Sequence, residues 1–233
     1  MKRLLTLLIL FLLWNAPADV FTLWPVRKGA GGKASAGNIL HGMSKQLLHK
    51  EKIVVNGVPL EMEVSLADIP FDILISQLKN SLGQNDFTLQ GSTVRIGYPI
   101  SRNRVERWLL VRGKERQTTI FHMIAPAKLP PPEGWPRELP PLPLGAEITQ
   151  VTQLPGQKGV QGTFRNAQEH PHGILRHWSR YLEGEGWIAA GAEASVTRSS
   201  GGDLFIRTRK GREVIWVSVG EDGSGNCYYK KSE

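Results

Sequence analysis

Three of the six histidines crowd around one short stretch, Glu169-His170-Pro171-His172 with His177 beyond it. Imidazole nitrogen and carboxylate oxygen both suit zinc, which makes Glu169, His170 and His172 weak candidates for a metal site. The spacing argues against one. His172 and His177 are five apart and fall on different faces of a helix, and Pro171 reads as a first helical residue. These histidines are read as capping or surface groups, and no metal or other cofactor is expected. His41, His49 and His122 stand isolated in the sequence.

Nucleophile chemistry leaves no trace. Gly-x-Ser-x-Gly and Ser-x-x-Lys are absent, as are His-Glu-x-x-His and a phosphate loop. Paired carboxylates that meet only in space leave no sequence mark, and Glu61 and Glu63 fall on the wet alternation of a strand. The balance leans away from an enzyme. Cys227 is the only cysteine, so no internal disulfide forms. Nothing beside it would stabilise a thiolate.

The basic residues carry more. Arg102, Arg104, Arg107, Arg112, Lys114 and Arg116 gather across one hairpin, and Arg207, Arg209, Lys210 and Arg212 across another. Charge runs usually mark solvated tips. The sharper reading makes Arg107, Arg112, Lys114, Arg207, Arg209 and Lys210 a binding edge, because the guanidinium fork bonds carboxylate and phosphate bidentately. The formal net charge of +8 favours an acidic protein face or an anionic membrane surface. The charges are spread out and accompany no nucleic-acid motif, so nucleic acid is not an expected partner.

The elements that would hold these residues begin after an export signal. Met1-Lys2-Arg3, an apolar run from Leu4 to Trp14, and Ala16-Pro17-Ala18 form the three regions of a secretory signal over residues 1–18. The alternative is an uncleaved N-terminal membrane anchor, which would place Pro17 and Asp19 in the bilayer at a cost. Export without disulfides or glycosylation sequons points to a bacterial periplasm, or secretion beyond it. Residues 19–50, rich in Gly, Ala, Lys and Ser, read as a flexible leader.

A first α+β unit is expected over 51–125. Asn56-Gly57 signals a tight hairpin turn, Leu60, Met62 and Val64 alternate as a half-buried strand, and Leu74, Ile75, Leu78 and Leu82 mark one face of a helix. Residues 126–145 form a proline-rich linker, where proline density excludes helix and interior strand. Trp135 within it is expected to pack on a domain face or a partner. A second unit follows over 146–233, with its helix at 171–182.

A shift of 100 positions lays Leu74 on Ile174, Ile75 on Leu175, Leu78 on Trp178 and Leu82 on Leu182. The fold class read from this is α+β: two tandem two-layer units, each a β-hairpin, a helix and antiparallel strands, related by internal duplication. Modular layout and missing catalytic motifs point to an exported, non-catalytic binding or assembly module, an accessory of an envelope secretion or pilus system, with an envelope protein as partner. The alternative is an exported hydrolase with its site in the groove between the units.

Overall fold

The structure is a computed structural model that describes residues 33–81, 87–90, 93–113, 116–166, 168–189, 197–198 and 204–231. The expected signal at 1–18 lies outside them, as do Leu82, Gly83 and Lys114. Among the described residues no helix is long and apolar enough to cross a membrane.

The chain is mostly antiparallel sheet with few helices, arranged in two compact units. In the first unit, α1 (Lys33–Gly42) precedes β1 (Lys45–Val55) and β2 (Val58–Ala67). Then come α2 (Phe71–Ser81), β3 (Phe87–Gln90), β4 (Thr93–Ser101), β5 (Arg104–Arg112) and β6 (Thr118–Pro126). The strand order is β1-β2-β6-β5-β4-β3. Asn56 and Gly57 adopt φ 48° and 78°, the left-handed pair that a two-residue hairpin turn requires. The alternation read in β2 holds: Leu60, Met62 and Val64 are buried, and Glu61 is exposed. α2 buries Phe71, Leu74, Ile75 and Leu78 against Val94, Ile96, Trp108, Leu110 and Ile120 of the sheet.

Residues 33–50 depart from a featureless leader. Lys33–Gly42 is helical and β1 already begins at Lys45. Leu40 is fully buried in the first unit's core, with Ile39 and Met43 packed against it. A few apolar side chains suffice here because the sheet supplies the rest of the buried surface.

The second unit contains β7 (Glu147–Leu154), a short 3-10 turn (Pro155–Gln157), β8 (Gly159–Arg165) and α3 (Pro171–Gly184). They are followed by β9 (Ile188–Ala189), β10 (Thr197–Arg198), β11 (Leu204–Lys210), β12 (Glu213–Val219) and β13 (Ser224–Lys231). Its strand order is β10-β11-β12-β13-β8-β7, with β9 also on β11. The tip of the first hairpin, residues 52–59, belongs to this unit, where Val54 and Val55 pair with Gln153 and Thr152 of β7.

Both ends of α3 follow from sequence. His170 caps the start, its Nδ1 accepting from the His172 N–H at 3.3 Å, and Pro171 occupies the first turn. At the other end Gly186 takes φ 79°. The Trp187 N–H donates to Leu182 O at 2.8 Å and the Gly186 N–H to Glu183 O at 3.0 Å, a glycine-terminated helix stop with its apolar contact. Trp187 and Leu182 both lie in the core with Ile174, Leu175, Trp178 and Phe164.

The proline-rich stretch is not a free spacer. From Leu129 onward it belongs to the second unit. The Trp135 indole N–H donates to Pro140 O and that of Trp178 to Pro141 O, both at 2.7 Å. The Trp135 ring meets Phe164 edge-on at 6.0 Å, and Leu139 is buried in the core. Proline has no N–H to donate, so such a strip docks through its carbonyls and side chains. The two units are not clean copies: a helix precedes the first and this strip the second, and β9 and β10 are two-residue fragments.

Candidate functional site

Antiparallel register places a polar cluster on the helix-covered face of the first unit. Trp108 of β5 stands opposite His122 of β6, His122 opposite Glu63 of β2, and Glu106 opposite Tyr98 of β4. Residues i and i+2 of a strand share a face, so Glu106 and Trp108 point the same way. Histidine 41, at the end of α1, completes the group.

Glu106 is the centre. Its Oε1 lies 2.6 Å from His122 Nε2 and 2.9 Å from His41 Nε2, and the Tyr98 hydroxyl donates to its Oε2 at 2.5 Å. The Glu106 side chain is only 5% exposed. Burial pushes its carboxyl up, but hydrogen bonds from His122 and Tyr98 outweigh that and hold it below the usual glutamate value. Burial first, and then the bond to Glu106, push the Tyr98 phenol above its ordinary range.

Around this centre the rings are fixed by packing. His122 stacks on Trp108 at 3.9 Å and 22°, and His41 meets Trp108 edge-on at 5.0 Å. The His122 Nδ1 faces Glu63 Oε2 at 3.6 Å. Lys50 holds Glu63 low through a hydrogen bond and also pairs with Glu61 at 2.6 Å. Lys45 sits over the Trp108 ring at 4.7 Å and donates to Leu40 O. Burial lowers its ammonium pKa, against the pull of Glu63 and Glu106. His41 is 54% exposed, so the cluster opens to solvent on its side.

The residues singled out in the sequence are placed differently. His170 and His172 stack on each other at 5.6 Å as cap and first-turn residues, and Glu169 is exposed beside them. Neither histidine nor Glu169 joins the one group of metal-capable side chains that converges among the described residues. Arg107 is buried, which pulls its guanidinium down to about 10, still charged at neutral pH. Arg112 forks onto Asp72 through two bonds of 2.6 Å and lies over Phe71, so it ties β5 to α2. Arg209 is exposed, and Lys210 donates to Glu185 O at 2.6 Å. The side chain of Arg207 and all of Lys114 lie outside the described residues. Trp135 packs inward, as described above.

His41 and His122 are 81 positions apart, and no motif joins them. One signal was available. Glu106 shares strand parity with Trp108 and Leu110, so a carboxylate falls on the core-facing rank of β5, where it must find partners. The fold and cluster together define an antiparallel-sheet protein carrying a two-histidine, one-carboxylate centre. Comparison with family models, curated proteins and solved structures finds no match.

Proposed function

We propose that the protein is an exported, non-catalytic binding module of the bacterial envelope, an accessory of a secretion or pilus assembly that takes an extended segment of an envelope partner. One observation carries this reading: the outer edge of β4. Strand β3 pairs only with Thr93–Ile96, and among the described residues Gly97–Ser101 has no partner on that side. Pro99, which lacks an N–H, is tolerated at such an edge, and Ile100 beside it is 44% exposed. An open edge of this kind accepts a partner's strand through main-chain hydrogen bonds, with side-chain pockets setting the choice. Arg209 and Lys210 remain as exposed basic groups suited to an acidic partner or membrane surface, whereas Arg107 is buried and Arg112 is paired with Asp72.

Internal duplication supports the modular reading. Each unit runs hairpin, helix, then further strands, and in each the hairpin's second strand pairs with the unit's last strand. Each core is also closed by the chain segment that precedes it, α1 in one case and the proline-rich strip in the other.

The test is a photo-crosslinking residue at Ile100, compared with one at exposed Leu47, in cells that express the protein natively. The expected result is an envelope-protein adduct from position 100 and none from position 47, on a mature chain that begins at Asp19. A chain retained in the cytoplasm, or no adduct from position 100, overturns the proposal. A second reading, an exported hydrolase, is favoured by the cluster around Glu106, which lies within the first unit. Ester or peptide turnover lost in Glu106→Gln would support it.

A further inference from the structure

We propose that His41, Glu106 and His122 form a binding site for a divalent transition metal of the zinc class, with one coordination position open to solvent.

Convergence is the first support. Both Nε2 atoms aim at the same carboxylate oxygen, at 2.9 and 2.6 Å, and all three donor atoms lie within 4.8 Å of one another. Two imidazoles and a carboxylate, with a fourth position left for water, make an open tetrahedral zinc set. The donor chemistry also selects the metal. Calcium and magnesium prefer oxygen ligands alone, whereas imidazole nitrogens favour zinc and its neighbours.

The outer groups are arranged as a metal site needs them. A ligating histidine ordinarily gives its other ring N–H to a carboxylate, which fixes the tautomer. His122 presents Nδ1 to Glu63 at 3.6 Å and is clamped flat against Trp108. That leaves the Nε2 lone pair directed at the cluster. Glu106 is likewise oriented, because the Tyr98 hydroxyl holds Oε2 and leaves Oε1 facing the histidines. Charges facing the site are Glu63, Lys45 and Lys50. Lys45 is the group that opposes a cation, and its ammonium is drawn aside to Leu40 O and the Trp108 ring.

The competing occupant is a proton. Without metal, the same atoms make a histidine–carboxylate–histidine hydrogen-bonded group. A site that takes the metal instead has a structural effect. His41 lies on α1 and the other ligands on β5 and β6, so the ion pins α1 to the sheet.

The experiment uses the full chain, stripped with a chelator and titrated with zinc against a chromophoric competitor. Cobalt(II) absorption serves as a second readout. Expected are one ion per chain, intense visible bands typical of tetrahedral cobalt, and no displacement by millimolar magnesium or calcium. His41→Ala changes an exposed side chain and is not expected to impair folding. It should weaken binding at least about 100-fold, beyond the 10- to 100-fold loss expected for the outer-group change Glu63→Gln. His172→Ala should bind as the parent does. Zinc should raise the melting temperature of the parent and leave that of His41→Ala unmoved. Three results overturn the site: no stoichiometric uptake by the parent, undiminished uptake by a folded His41→Ala, or loss of uptake in His172→Ala.

Discussion

Gly162 of β8 lies under the Trp135 ring. A methyl group there would sit 2.5 Å from Trp135 Cζ3, 2.7 Å from Cη2 and 2.9 Å from Leu139 Cδ1. Carbon atoms pack best at about 3.5–4.0 Å, so Gly162→Ala forces the indole away by roughly 1 Å. The ring cannot tilt freely, because its N–H is bonded to Pro140 O and its edge rests on Phe164. Overpacking of this kind costs about 1–3 kcal/mol. An opposing gain of about 0.4–1 kcal/mol comes from the stiffer unfolded chain. The net expectation is a loss of about 1–2 kcal/mol in denaturant unfolding, with faster proteolysis within 129–145. The decisive comparison is a double-mutant cycle. In a Trp135→Ala background the clash is largely gone, and Gly162→Ala should shift stability by no more than about 0.5 kcal/mol. Equal costs in the two backgrounds, or no cost in the parent, would refute the docking of the proline-rich strip on β8.

Asn56→Ala should destabilise by about 1–3 kcal/mol, because Asn56 donates to Pro130 O at 2.9 Å and accepts from the Val151 N–H at 2.8 Å. Asn56→Gly, which keeps the left-handed turn but also removes both side-chain bonds, should lose less; equal losses would assign the effect to the hydrogen bonds alone. Cys227 is fully buried and burial pushes its thiol up, so labelling by a disulfide reagent should follow unfolding; rapid labelling of the native chain would contradict this. The Asp72 carboxyl is held below its ordinary value by Arg112. Its folded form binds fewer protons than the unfolded one, so its contribution is present above the ordinary aspartate pKa of 3.8 and is lost as pH falls through the lower folded value. Melting curves of Asp72→Asn should therefore differ from the parent slightly at pH 7 and converge with it in acid; both charges are exposed, so a large shift at pH 7 would be unexpected.

Local patterns in this chain were legible, and long-range ones were not. Asn56-Gly57 specified its turn because only left-handed φ values fit there, and the apolar spacing in 71–82 and 171–182 specified two helices by burial of one stripe, which the structure shows at Phe71–Ser81 and Pro171–Gly184. Helix α1 escaped because a segment poor in apolar residues borrows its stability from the sheet it covers, which no local window contains. The site escaped for a related reason. His122 meets Trp108 and Glu63 through strand register, and register is set by pairing between distant segments. In the basic hairpins, charge alone does not reveal the direction of a side chain. Arg107 is buried on the face of β5 opposite Glu106 and Trp108, and Arg112 reaches a helix carboxylate, and neither fact is written in the neighbouring residues.

The proline-rich strip also changes where the second unit begins. A fragment cut at Ala146 would retain every strand from β7 to β13 and the helix α3, yet it would lack Trp135 and Leu139 and leave the Trp178 N–H without Pro141 O. Insertions or deletions between Leu129 and Gly145 would then act as core mutations. Length variation there would be constrained by the seating of one indole ring, and the chain would tolerate it far less than it tolerates change in an ordinary tether.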